Sequence, residues 1–403
     1  MSIIRLSMLG DGLYAPDLDG NIDTRDFSLV RGDQHRGRGR MPLFKRGTRP
    51  GNGDPLTKYL KRSLELEAPK LKRSQPVTVF VHGFQFDPAM VVVEPPHHHK
   101  ADNPHARLYH FEQHAEEVEM RHHSTSWPLG LGFAKDDEGK GGLCIGFGWY
   151  SNPGFFSSLF SHGLNFYAKA YQEAEIAAWQ LVCVLDVLTN QLNRPVDLFC
   201  HSLGSRVVIR AMAQAVQPQP DLEDAPALSH LLELTDRVIL LAGAEKVLEA
   251  QLMMSRLNRW MDRSGGPGAT RIPHFYNFTS RENDVLDKLG ENFGPAAAGS
   301  KQVIGHNGLE ALDPNWVDVQ LDDPDIAAWF VKKGYRISGD NTSSVFAVLD
   351  HWIHYTWREN MRVYSDILRD RAKWKIATLK AVKGDLFNQV RLMRGPGAMG
   401  FTS

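Results

Sequence analysis

A serine at 202, an acid at 284 and a histidine at 351 lie along this chain in that order. Together these residue types cleave acyl bonds. A serine hydroxyl attacks a carbonyl carbon only when a base removes its proton. A histidine serves as that base when a third group fixes its tautomer and orientation. The same histidine can then return the proton to the leaving group.

The setting of Ser202 is the strongest signal. Val196-Asp-Leu-Phe-Cys-His201 is a short apolar run. It stops at Ser202-Leu203-Gly204, and the apolar period of a helix begins at once. This predicts a strand, a sharp turn carrying the serine, and a helix, the layout of a nucleophile elbow. Small residues are needed two positions either side, because strand and helix converge there. Gly204 meets that need, and Cys200 stands where a glycine is usual, so the motif reads C-x-S-x-G. A serine here could equally N-cap an ordinary helix, so the flanking elements must decide.

Upstream, Pro76-Val-Thr-Val-Phe-Val81 reads as a buried parallel strand, closed by His82-Gly83-Phe84. The loop after such a strand supplies one N–H of an oxyanion hole, and the residue after the nucleophile supplies the other. Those donors would be Phe84 and Leu203. Downstream, Asp236 to Leu241 and His274 to Thr279 read as further strands, the second followed by a polar loop. Within that loop Glu282, Asp284 and Asp287 are candidate acids, and Glu245 after the preceding strand is another. Asp284 is favoured by its Asn-Asp-Val-Leu context. Ser344 to Leu349 reads as a last strand leading to His351, with His354 three residues on as the other candidate base. His201 reads as a buttress of the turn.

His82-Gly83-Phe84, Phe147 to Ser151, His201 to Arg206, Asn283 to Leu286 and Asp350-His351 together resemble the α/β-hydrolase superfamily, in its serine esterase and lipase branch. The order Ser, Asp, His is that of this superfamily. The resemblance implies a three-layer α/β/α sandwich on a mostly parallel sheet. It implies a carboxylic ester, small or lipid, as substrate, with Ser202, Asp284 and His351 as the triad and no cofactor or metal. Thioesters and amides use the same constellation.

At 403 residues and 42% hydrophobic, the chain can bury a large core as a single domain spanning 1–403. A net charge of −1 sets up no field for nucleic acid or an anionic membrane. Cys144, Cys183 and Cys200 all fall in apolar segments and read as free thiols of a reducing, cytoplasmic compartment. The N-terminus reads as a strand, not a signal peptide. No apolar run is long enough for a membrane-spanning helix. Residues 11–56 read as mostly loop, with a solvated basic stretch at 31–40. Residues 166–192 and 246–262 read as helices, and Arg358 to about Lys375 as another.

Two insertions are expected, at 87–140 and 290–343. The first is rich in histidine, including His97, His98, His99, His105, His110, His114, His122 and His123. It could form a cap, and His110 and His114 share one helical face as many zinc ligands do. A metal-dependent hydrolase and a catalytically silent binding fold are therefore the alternative readings. Phe84, Phe86, Phe155, Phe156, Leu159 and Phe160 could line an acyl pocket.

Overall fold

Valine, isoleucine, leucine and phenylalanine crowd the runs at 77–81, 143–148, 196–201 and 235–241, and all of these positions are buried. Strands apolar on both faces belong in the middle of a parallel sheet covered by helices on each side. The computed structural model describes residues 3–9, 12–16, 40–45, 51, 53–88, 103–111, 126–133, 141–151, 163–216, 230–264, 272–281, 283, 286, 302–309, 313–338, 350–382, 386–388 and 390. The strands are β1 (Ile3–Leu9), β2 (Gly12–Pro16), β3 (Arg40–Lys45), β4 (Val77–Val81), β5 (Leu143–Gly148), β6 (Val196–His201), β7 (Thr235–Leu241), β8 (His274–Thr279) and β9 (Trp316–Gln320). The helices up to the sixth strand's partner are α1 (Pro55–Glu67), α2 (Pro104–Arg107), α3 (Trp127–Gly130), α4 (Gly163–Leu192) and α5 (Gly204–Ala215). After them come α6 (His230–Leu234), α7 (Val247–Ser264), α8 (Ile304–Asn307), α9 (Pro324–Lys332), α10 (Asp350–Thr356), α11 (Arg358–Arg369) and α12 (Ile376–Lys380).

The sheet runs β3-β2-β1-β5-β4-β6-β7-β8-β9. Seven strands, β1 and β4 to β9, are mutually parallel, and the β2–β3 hairpin adds antiparallel to β1. Side chains alternate between faces along each strand. Val77, Val79 and Val81 accordingly join one core with α1, α4, α5 and α7, whereas Phe80 joins a second core with α9, α11 and α12. The result is a three-layer α/β arrangement. Among the described residues no helix is long and apolar enough to cross a membrane.

β5 pairs on one side of β4 and β6 on the other, so the winding direction reverses at β4. In open parallel sheets the crevice outside the strand carboxyl ends, at such a reversal, is where ligands bind. The residues that follow β4 and β6 there are His82 and Ser202.

Three expectations change. Residues 11–56 hold strands β2 and β3; their glycine- and arginine-rich setting hides them, and pairing of β2 onto β1 (Ser7 opposite Tyr14) and of β3 onto β2 makes them strands. The range 290–343 contains the edge strand β9 and α9. In Trp316-Val-Asp-Val-Gln320 the alternation puts Val317 and Val319 into the second core. His351 follows no strand among the described residues. It sits in the first turn of α10, and 339–349 lie outside the described residues. With β9 at the edge, Ile353 and Tyr355 are buried from the helix instead.

The described parts of 87–140 also belong to the body of the protein. Tyr109, Trp127, Leu131 and Phe133 are buried in the second core, where Trp127 packs edge-on to Phe199 at 5.0 Å. The helix expected from Arg358 ends at Arg369, and a separate turn of helix, α12, follows. The basic stretch at 31–40, apart from Arg40, lies outside the described residues.

At the opposite ends of these strands, Asp197 is fully buried. It faces Asp236 and Arg237 of β7 and Arg371 after α11, with Arg194 close by. Burial pushes its carboxyl from the ordinary 3.8 up to about 7, Asp236 adds to the rise, and Arg371 and Arg237 oppose it. An acid whose folded value is raised contributes stability below its unfolded value and loses it as pH rises through the folded one. Between about pH 4 and 7 this group should therefore lower the unfolding free energy by up to about 1.4 kcal/mol per pH unit. Asp197→Asn should flatten that slope and be the more stable protein at pH 7.5. Denaturant midpoints of both proteins at pH 4.5 and 7.5 check it; parallel pH dependences would refute it.

Candidate active site

Ser202 has a φ of 53°. That left-handed conformation costs a non-glycine residue about 1–2 kcal/mol. The turn is held in it by its neighbours. The Ser202 N–H donates to the Leu241 carbonyl at 2.9 Å, and the Ser202 carbonyl accepts from the N–H groups of Ala244 and Ser205, each at 3.0 Å. Gln85 (φ 75°) and Ala242 (φ 46°), in the loop after β4 and the turn after β7, share this strained region. Strained residues of this kind cluster at functional sites.

The turn fits because Gly204 has no side chain. A Cβ there would lie 2.4 Å from the Val81 carbonyl oxygen and 2.5 Å from that of His82. Cys200 is accommodated two residues before the serine because the helix opposite it begins Gly204-Ser205. Its sulfur lies 3.7 Å from the Ser205 hydroxyl and 3.5 Å from the Ile239 carbonyl oxygen.

The loop after β4 runs against the turn. A Cβ on Gly83 would lie 2.8 Å from the Ser202 Cβ. His82 locks this loop to β5. The Trp149 N–H donates to His82 Nε2 at 2.9 Å, so Nδ1 carries the proton and donates to the Gly83 carbonyl at 2.9 Å. The Trp149 indole stacks on the same ring and donates to the His82 carbonyl. Burial pushes His82 down to about 3, so it stays neutral in this role.

Ser151 adds a second clamp. Its hydroxyl donates to the Gly83 carbonyl at 2.8 Å and accepts the Phe86 N–H at 2.9 Å. Among the described residues neither the Phe84 N–H nor the Leu203 N–H has an acceptor. Among the described residues these two amides, one following Ser202 and one following Gly83 of the loop packed on it, are left without acceptors, as donors to an oxyanion would be. The Phe84 side chain is half-buried, edge-on to Tyr167 at 5.6 Å.

His351 reaches the turn through His201. The His201 Nε2–H donates to the His351 carbonyl at 3.1 Å, and the two rings lie 4.5 Å apart. Tyr355, one helical turn on, packs edge-on to His201 at 4.7 Å. The residue beside the serine thus docks α10 at the end of β6. Burial pushes His201 down to about 3, and burial, then His201 and His354, hold His351 well below the usual histidine range. A neutral ring keeps a lone pair free to accept a proton. Ser202 keeps 6% of its surface exposed and His351 5%. Among the described residues no hydrogen bond joins the Ser202 hydroxyl to His351.

His351 Nδ1 meets Asn283. The amide Nδ2 lies 3.0 Å and Oδ1 3.2 Å from it. Asn283 is fully buried, and its Oδ1 also accepts the Leu286 N–H at 3.2 Å. This contact was overlooked in the sequence, although Asn283 stands inside the Asn-Asp-Val-Leu segment. Asp284, Glu282 and Asp287 lie outside the described residues.

The other candidates are accounted for. Both oxygens of Glu245 bond Arg206, at 3.0 and 2.9 Å, and one also takes the Tyr171 hydroxyl, so this acid is engaged in a structural ion pair. His354 is fully buried, with neither ring nitrogen partnered among the described residues. His351, by contrast, keeps 5% of its surface exposed.

His105 Nε2 shares a hydrogen bond with the Ser7 hydroxyl, and the His110 Nε2–H donates to the Arg107 carbonyl. Among the described residues no group of three or more His, Cys, Asp or Glu side chains converges as metal ligands would. His97, His98, His99, His114, His122, His123, Phe155, Phe156, Leu159 and Phe160 lie outside the described residues. Compared with models of known families and with curated proteins, the sequence matches none.

Proposed function

We propose that this chain is a serine hydrolase of the α/β-hydrolase type that cleaves carboxylic esters through an acyl-enzyme on Ser202. The observation that carries the reading is the strained Ser202, with two amides that lack acceptors among the described residues and with His351 docked on its neighbour His201. Ser202 Oγ attacks the ester carbonyl carbon while His351 Nε2 takes its proton. The N–H groups of Phe84 and Leu203 stabilise the oxyanion, each donor being worth about 3–4 kcal/mol where such donors have been removed. The C–O bond to the alcohol then breaks, and His351 returns the proton to the departing oxygen. Water, deprotonated by the same ring, attacks the acyl group and regenerates Ser202. The group that orients His351 comes from the segment after β8, where Asp284 was expected. The substrate is a small-molecule or lipid ester, and the three buried free thiols fit a reducing, cytoplasmic setting.

A fluorophosphonate probe tests the reading. It should label wild-type protein on Ser202, identified by peptide mass spectrometry, and should leave Ser202→Ala unlabelled. A folded wild-type protein that takes no label would overturn the assignment in favour of a silent binding fold. Hydrolysis abolished by a chelator would point to metal chemistry instead.

A further inference from the structure

We infer that Asn283 is the positioning residue of His351, accepting the Nδ1–H at its amide oxygen where a carboxylate would ordinarily stand. An imidazole nitrogen has one in-plane direction for a hydrogen bond. At Nδ1 that direction is filled by the Asn283 amide, at 3.0 and 3.2 Å. A carboxylate such as Asp284 could orient this ring only by displacing Asn283.

The amide is itself held. The Leu286 N–H donates to Oδ1 at 3.2 Å and to the Asn283 carbonyl at 3.0 Å, so a buried turn sets the side chain. Oδ1 has a second lone pair, and in the proposed arrangement the Nδ1–H fills it at 3.2 Å; the nearer amide Nδ2, at 3.0 Å, would donate only to an unprotonated Nδ1. With the proton on Nδ1, Nε2 presents its lone pair. Use of that lone pair as a base rests on the hydrolase reading above; the position of the proton does not.

An amide differs from a carboxylate in two measurable respects. It can donate as well as accept, so either tautomer of the ring can pair with it, and it adds no negative charge to stabilise the imidazolium. Among the described residues the groups around the ring do not supply that charge either: His201 and His354 lower its proton affinity, and Tyr355 packs against His201. An asparagine in this role keeps His351 neutral, and competent as a base, to lower pH than an aspartate would.

Nitrogen NMR of ring-labelled histidine reads both properties on the intact chain. In wild type the neutral His351 ring should carry its proton on Nδ1. Asn283→Asp preserves shape and should raise the His351 titration midpoint by about 1–3 pH units, the usual effect of an opposite charge at contact. The acid limb of fluorophosphonate labelling should move by the same amount, which lost packing alone would not produce. Asp284→Asn should leave the midpoint in place. A proton on Nε2 in wild type would overturn the assignment without any variant. So would a midpoint unmoved in Asn283→Asp but lowered in Asp284→Asn. If the ring behaves as expected and Ser202 takes no label, the hydrolase reading fails while the role of Asn283 stands.

Discussion

Ser202→Ala, His351→Ala and the double variant should each lose about 10⁶-fold in kcat toward a short-chain nitrophenyl ester. The three losses should be nearly equal. A nucleophile and its base act as a unit, so once one is gone the other has nothing to do. Additive losses would mean that the two residues act in separate steps. The residual rate should still exceed that of water, because the Phe84 and Leu203 amides remain to hold a developing oxyanion. His354 is the informative control. It lies three residues from His351 on the same short helix but is fully enclosed. His354→Gln should keep turnover within an order of magnitude of wild type wherever the protein is folded. If His354→Gln falls to the level of Ser202→Ala while His351→Ala retains activity, the roles of the two histidines are reversed.

Gly204→Ala should destabilise the protein by about 3 kcal/mol or more, above the usual range for an added methyl in a packed interior. The methyl group would meet the carbonyl oxygens of Val81 and His82 at 2.4 and 2.5 Å and the His82 carbonyl carbon at 3.0 Å. These are backbone atoms at the end of β4, and no side-chain rotation relieves them. Room can be made only by parting α5 from β4, which moves Ser202 away from the Gly83–Phe84 loop. Activity in the folded fraction should therefore fall as well, since about 1 Å of misplacement can lower a rate 10²-fold. Gly53→Ala serves as the comparison, because a Cβ there meets nothing within 4 Å. Denaturant midpoints at constant slope measure the difference. Equal midpoints for the two variants would mean that strand and helix can separate freely at the turn.

The sheet's centre and the turn were legible because each is written in consecutive residues. A strand covered on both faces must be apolar throughout, and the runs ending at Val81, Gly148, His201 and Leu241 are. A serine between an apolar run and Gly204 needs only local sterics to become an elbow. Edge elements were not legible. β2, β3 and β9 are not continuous apolar runs, and pairing with a neighbouring strand makes them strands. His351 stands in a helix and not at a strand end, because Asp350 to Thr356 packs against His201 through His351 and Tyr355; the apolar residues 344–349 expected as a strand lie outside the described residues.

Residue types and their order were determined by the sequence alone: a serine at the end of an apolar run, a glycine two residues on, a His-Gly pair upstream and a histidine far along the chain. Contacts between side chains remote in sequence were decided only by the tertiary structure. It used His82 and Ser151 to pin the loop after β4, tied Glu245 to Arg206, and set Asn283 against His351 Nδ1. A hydrogen bond depends on distances of a few tenths of an ångström between groups that may be 68 residues apart. Periodicity and composition carry no record of such distances, so the partner of a buried polar group is known only once the chain has folded around it.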